Sequence, residues 1–317
     1  MSNALTPAPT LTPAPAIAGS STTERAWLRE RLADYLELTK PRIAVMALVT
    51  VTIGFLLAVE SPGNLAGLLE ALTGVALVAA SSSCFNQILE RDSDRLMNRT
   101  RNRPLAANRL SVGEAALFGI VALGVGTIWL ALRVNLATAV LGLLRFVLYV
   151  AVYTPLKKIT SFNTVVGAVP GALPPVLGWV SAGGELDVSA FALFSILFLW
   201  QFPHFMSIAW LYREDYAAAG LKMLPRPEVP HQWGAGLVAI GYAAALLPVS
   251  LIPNQIGLAG PGYAAGALFL GCGYLWYSIL FCRQPSEGSA RRLLLISLIH
   301  LPVLFLILIL DHCLLLS

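Results

Sequence analysis

Long apolar blocks alternate with short polar, basic segments along the whole chain. Nine blocks stand out, at 43–59, 65–89, 112–132, 134–153, 164–180, 188–212, 234–252, 262–282 and 293–310. Runs of about 18 residues with few charges are long enough to cross a bilayer as helices. Lipid offers no partner for backbone N–H and C=O groups, so such blocks form helices or a closed barrel. Barrel strands alternate apolar and polar residues over about ten positions, whereas these blocks are continuously apolar. The pattern therefore predicts an all-α integral membrane protein with about nine transmembrane helices. Ser111 and Glu114 have capping-box spacing, which places a helix start there. The third and fourth blocks are divided only by the short link 133–135.

Composition agrees with this reading. Of 317 residues, 57% are hydrophobic and 12% charged, and the mean hydropathy is +0.73. Soluble domains carry about 25% charged residues. The basic residues then set an orientation. With Met1 inside, every one of the 21 Lys and Arg residues except Arg133 and Arg145 falls in an inside segment. This positive-inside bias predicts a cytoplasmic N-terminus, an odd number of spans and Ser317 outside. The net charge of +4 lies on the face that meets anionic headgroups, which accounts for it without nucleic acid. Residues 1–33 are expected as a disordered cytoplasmic tail, their first part rich in Ala, Pro, Ser and Thr, and 34–317 as the transmembrane domain. The tail resembles neither a secretory signal nor a transit peptide, which favours a bacterial plasma membrane. Cys84, Cys272, Cys282 and Cys313 have no metal-ligand spacing and read as small apolar residues.

Polar chemistry is concentrated at two span exits on that same inner face. At the end of the second block, Asn86, Glu90 and Asp94 recur every fourth residue. On a helix they share one face, drifting by about 40° per step. Amide and carboxylate oxygens of this kind suit Mg2+, which keeps waters and binds substrate phosphate as well. Asp92 lies off the stripe unless the helix has unwound. Arg99 and Arg103 follow, with forked donors suited to phosphate oxygens. A solvated basic loop would explain the charges alone, but Asn86 and Gln87 lie deep after an apolar run, where polar groups need a partner or a cavity. The second exit carries Trp200-Gln201-Phe202-Pro203-His204-Phe205, then Arg213-Glu214-Asp215-Tyr216, then Met223-Leu224-Pro225. Blocks two and six are four helices apart. This suggests two four-helix halves around a central cavity, each giving one acidic cluster, plus one extra helix.

With these motifs in view, the chain resembles the UbiA superfamily of intramembrane prenyltransferases from about Leu38 to the last span, and within it the haem branch, the protoheme IX farnesyltransferases. Leu38-Thr39-Lys40-Pro41-Arg42-Ile43, the Asn86–Leu105 stretch, Tyr153-Thr154-Pro155-Leu156-Lys157, Pro170-Gly171-Ala172 and Pro174-Pro175 carry the resemblance together with the second exit. It implies that Asn86, Glu90 and Asp94 hold Mg2+ and prenyl diphosphate, Glu90 standing where the family has Asp. The family's second motif spaces two Asp residues four apart, whereas here Glu214 and Asp215 are adjacent. The implied catalytic set is Asn86, Glu90, Asp94, Asp92 and Asp215, and the implied metal set is Asn86, Glu90, Asp94, Glu214 and Asp215. Arg99, Arg103, Lys157 and Arg213 are the candidate diphosphate contacts.

The reaction implied by the resemblance moves the farnesyl group of farnesyl diphosphate to a vinyl group of haem b. It gives haem O and diphosphate for haem-copper oxidase cofactor synthesis. Haem b is then a substrate, Mg2+ the cofactor, and a downstream haem-modifying membrane enzyme a candidate partner beside the lipid bilayer. His204 is the candidate axial ligand to haem iron, with His300 behind it; a hydrogen bond between helices is the plain alternative for each. Tyr153, Trp200 and Phe202 could line the path or simply pack. Arg145, inside the fourth block, has no assignment. Two other readings compete. A UbiA-type enzyme acting on a quinone precursor or chlorin would share the Asn86 stripe without Pro203-His204. A secondary transporter would place its polar groups at the midplane on broken helices, whereas here they sit at helix exits.

Overall fold

A computed structural model describes residues 20–59, 64–224 and 233–316. It is all-helical there, and nine of its helices are long and apolar enough to cross a membrane. A helix α1 (Ser20–Leu38) precedes the first span. The spans are α2 (Pro41–Ala58), α3 (Leu65–Leu96), α4 (Val112–Arg133), α5 (Leu136–Ile159), α6 (Asn163–Ser181) and α7 (Val188–Leu211). A short α8 (Arg213–Ala218) follows, and then the spans α9 (Gly234–Gln255), α10 (Pro261–Arg283) and α11 (Glu287–Leu316). The nine blocks all appear. The boundaries move most where polar residues continue a helix past the apolar run, as in α3, which extends seven residues beyond the expected 89.

One expectation is corrected at the N-terminus. The tail was expected to be disordered through residue 33, but α1 begins at Ser20; residues 1–19 lie outside the described ones. The helix is held by ion pairs that tail composition does not reveal. Arg109 donates to Asp34 at 2.7 Å and to Glu37 at 2.9 Å, and Arg31 pairs with Glu114. Leu38 is buried among Cys84, Leu105, Leu110 and Ala115, and the Gln87 amide donates to its carbonyl at 2.9 Å.

The helices pack as chain neighbours, α3 on α4, α6 on α7, α9 on α10 and α10 on α11, with α11 also lying against α7 and reaching α2. The seam between the first four spans and the rest runs chiefly along α2 and α6. Two glycines let those backbones touch. A Cβ on Gly54 would lie 1.9 Å from the Pro175 carbonyl oxygen, and one on Gly178 1.9 Å from that of Val51. Small residues serve this purpose where lipid supplies no hydrophobic drive between helices. Large apolar side chains such as Ile120, Leu132, Phe269 and Leu298 point outward, as a lipid-facing surface requires.

Ser111 accepts from the Glu114 N–H while the Glu114 carboxylate accepts from Ser111, so the expected capping box starts α4. Asn135 caps α5 through the Thr138 N–H at 2.8 Å. Towards its end α5 widens into a π-helical stretch, Leu148–Tyr153, before a last α turn, Thr154–Ile159. Arg145 also finds its place. Pro174 has no N–H, so the carbonyl of Pro170 lacks its helical partner, and the Arg145 Nε donates to it at 3.2 Å.

Candidate active site

Because α3 continues as a helix to Leu96, Asn86, Glu90 and Asp94 form one ladder on its inward face. They are exposed by 0%, 7% and 1%. Such burial is costly for carboxylates unless each is paired, and each rung meets a cation from a different segment. Lys40 Nζ donates to Asn86 Oδ1 at 2.5 Å, and Lys157 Nζ donates to Glu90 Oε1 at 2.7 Å. Arg103 Nη1 donates to both Asp94 oxygens at 2.9 and 2.8 Å. Lys40 adopts a left-handed conformation, φ 53° and ψ 61°, between α1 and α2. For a non-glycine residue ahead of proline this backbone is strained; it aims the side chain at the ladder. Burial, reinforced by nearby Arg103, pushes the Lys40 ammonium down to about 7.

The π turn positions the other wall. It brings the Thr154 N–H onto the Tyr149 carbonyl, five residues back, while the Thr154 hydroxyl donates to the same oxygen at 2.8 Å. The Asn86 amide then donates to Thr154 Oγ1 at 3.1 Å. Tyr149 and Tyr153 stand 5.5 Å apart, and Lys157 Nζ lies 4.5 Å from the Tyr153 ring. Gly167 on α6 leaves room for that ring, since a Cβ would meet it at 2.4 Å. Widened turns of this kind recur at functional sites.

The second acidic exit meets the first through the loops. Lys222 N–H donates to the Lys157 carbonyl at 2.8 Å, and the Asn163 amide donates to the Lys222 carbonyl at 2.8 Å. Met97 is buried with Ala209, Tyr216, Ala219 and Leu221. Arg99 donates to the Tyr216 hydroxyl at 2.7 Å and lies over the rings of Tyr212 and Tyr216 at 4.7 and 4.9 Å.

The expected residues thus divide. Asn86, Glu90, Asp94, Arg103 and Lys157 are brought together. Asp92 is not: it is 69% exposed and pairs with Arg91 and Arg95 at 3.5 Å, because the helix is intact and turns it away from the ladder. Glu214 is also corrected. It is 87% exposed and pairs with Arg213 at 3.3 Å, since adjacent helical residues point about 100° apart. Arg213 is further tied to the Trp210 carbonyl at 3.0 Å. Asp215 is half-buried and its carboxylate makes no hydrogen bond or ion pair among the described residues. No group of three or more His, Cys, Asp or Glu is close enough among them to enclose a metal by itself. His204 packs between α7 and α11, its Nδ1 2.8 Å from Ser297 Oγ. His231 and Pro225 lie outside the described residues. Lys40, Tyr149 and Thr154 were not among the expected site residues. The available signals were a lysine directly before the proline that opens a span and Thr154 within the segment Tyr153-Thr154-Pro155-Leu156-Lys157.

Similarity to known proteins follows the same outline. The UbiA prenyltransferase family matches residues 47–304. The chain is 40% identical to the protoheme IX farnesyltransferase of Solibacter usitatus (strain Ellin6076) over 290 residues, 89% of this chain and 99% of that protein. It is 44% identical to the protein of the same name from Koribacter versatilis (strain Ellin345) over 291 residues, 89% and 94% respectively. Its fold is that of a digeranylgeranylglyceryl phosphate synthase, with TM-score 0.75 at 18% identity over 89% of this chain and 99% of that one. A UbiA homologue from Archaeoglobus fulgidus bound to GPP and Mg2+ gives TM-score 0.62 at 22% identity, covering 87% and 99%. The family match and these relatives define an intramembrane prenyltransferase. The chain belongs to the UbiA prenyltransferase family, and the relatives it matches at 40% identity and above are protoheme IX farnesyltransferases.

Proposed function

We propose that the chain transfers the farnesyl group of farnesyl diphosphate to the terminal carbon of a haem b vinyl group, and that water then adds its hydroxyl to the other vinyl carbon and gives up its proton, so that haem O and diphosphate are formed. The observation that carries this reading is the buried ladder Asn86–Glu90–Asp94 with Lys40, Lys157 and Arg103 set against it. The names of the relatives at 40% and 44% identity supply the acceptor.

The ladder fits Mg2+, because each of its three residues already offers oxygen to one cation and all three share one face of the helix. Asn86, Glu90 and Asp94 would hold the ion, with Asp215 as the contribution from the second exit. Held by these residues, Mg2+ would supply positive charge to offset that developing on diphosphate as the allylic C1–O bond breaks. Lys40, Lys157 and Arg103, set against the ladder, would take the phosphate oxygens, exchanging their ladder partners for phosphate. Arg103 offers a fork and the two lysines compact point charges. Fixed cations in a dry site stabilise developing charge more than solvent can. Tyr149 and Tyr153 line the adjacent wall, and their ring faces suit the positive charge left on the allylic carbon. Apolar packing keeps water from that carbon until the vinyl group attacks. Arg99 and Arg213 secure the covering loops, through Tyr216 and Trp210, rather than the ladder.

The basic face is assigned to the cytoplasm of a bacterial cell, with the plasma membrane around the nine spans. Haem O would leave to a haem-modifying enzyme in the same membrane. The test is to express the chain in a host lacking its own enzyme and to weigh the extracted haem. Haem b with one vinyl group converted to hydroxyethylfarnesyl, a gain of one farnesyl and one hydroxyl, is the expected product; unmodified haem b, with label entering a quinone precursor instead, would refute the acceptor assignment.

A further inference from the structure

His204 is held in a way the prenyl transfer site does not explain. Ser297 Oγ donates its single hydrogen to the Leu294 carbonyl at 2.6 Å. Towards His204 Nδ1, 2.8 Å away, the hydroxyl can therefore only accept, so Nδ1 carries the proton. The second ring nitrogen, Nε2, makes no hydrogen bond among the described residues, yet it is not one of the sealed, unpartnered atoms of the core. Among the described residues no charged side chain is paired with the ring, and with the proton on Nδ1 the lone pair lies on Nε2.

The ring is also fixed in orientation. Trp200 stacks on it at 4.8 Å and 22°. The Trp200 indole N–H donates to the Ser297 carbonyl at 3.0 Å, so Ser297 grips both rings, and the Tyr274 hydroxyl donates to the Trp200 carbonyl at 2.9 Å. His300 offers the contrast. Its Nδ1 lies 3.2 Å from the Leu270 carbonyl, but the residue is 1% exposed and its Nε2 is sealed in the core without a partner. Of the two, only His204 has an Nε2 that is not sealed in the core.

A metal-binding histidine characteristically has its other nitrogen committed to a fixed acceptor, which sets tautomer and direction. We propose that Ser297 is the positioning residue that holds His204 as its Nδ1–H tautomer and presents Nε2 to the iron of haem b. This rests on the reading of haem b as acceptor substrate. Position along α7 agrees: His204 lies seven residues before Leu211, the last of that helix, about 10 Å inward at 1.5 Å per residue. Haem would then be anchored within the membrane, with its edge free to approach the ladder end.

The test titrates ferric haem b into the purified full-length chain and reads affinity and the visible and EPR signatures of axial imidazole. Wild type is expected to show imidazole ligation. His204→Ala should lose it and regain it with added imidazole. Ser297→Ala should weaken haem binding by about 10–100-fold, and Ser297→Thr, which keeps the hydroxyl, should restore it. Should Ser297→Ala aggregate, Ser297→Thr against the equal-shaped Ser297→Val decides, with only Val weakened. Wild-type affinity and spectrum in Ser297→Val would overturn the positioning role while leaving His204 as ligand. An unchanged spectrum in His204→Ala would overturn both roles, and haem farnesylation, assayed separately, tells whether haem remains the acceptor.

Discussion

At the scale of single residues, what distinguishes this site is that each residue of the ladder already has a cationic partner. The Lys157–Glu90 pair is nearly buried, and breaking such a pair leaves a naked charge that costs about 3–5 kcal/mol. Lys157→Met should therefore lower thermal stability in detergent sharply, while Glu90→Gln with Lys157→Met recovers most of it and stays inactive. Stability and activity separate in that series, as they must if the pair exists for chemistry. Asp92→Asn and Glu214→Gln should stay within about twofold of wild type, because both side chains face outward. Asp215→Asn should cost about 10²-fold in farnesyl transfer, the scale for losing one group that stabilises developing charge; steady-state rates on membranes decide both. The ladder was legible because its four-residue period survives in any helix. Asp92 could join the ladder only if the helix unwound, and α3 runs intact to Leu96; Glu214, beside Asp215, is turned outward by the same helical geometry. Lys40 stood in the motif Leu38-Thr39-Lys40-Pro41-Arg42-Ile43, before the proline of α2, but its reach to the ladder depends on a left-handed backbone that the sequence does not mark.

At the scale of elements, helices were legible and their irregularities were not. The apolar blocks located each span, yet Leu148–Tyr153 reads as an ordinary apolar run although its backbone is π-helical. Its cause lies in tertiary partners, Asn86 on α3 and Gly167 on α6, which local sequence cannot express. The helix α1 was missed for the same reason, its order coming from Arg109 and Glu114 far along the chain. Arg145 gives the clearest test at this scale. Arg145→Met leaves the Pro170 carbonyl without a donor, at about 1–3 kcal/mol. Pro174→Ala restores the missing N–H, so the double variant should melt close to wild type. If the two substitutions simply add, Arg145 has another purpose. Gly178→Ala should also destabilise, by about 1–3 kcal/mol, since its Cβ meets the Val51 carbonyl on α2.

At the scale of the molecule, the spans form the frame and the basic loops close it. The loop after α3 docks on α8 through Arg99 and Tyr216, and the loop after α8 docks on the end of α5 through Lys222. Three segments distant in sequence thereby surround one ladder, an arrangement that charge bias alone could place on one face but not bring together. The most direct measurement compares labelled farnesyl transfer to haem b by the wild type and by the variant Asn86→Ala, Glu90→Ala, Asp94→Ala, each shown to bind haem b equally. Loss of about 10³-fold or more, with haem binding intact, is the expected result; transfer at the wild-type rate would contradict the assignment of this ladder as the centre of the reaction.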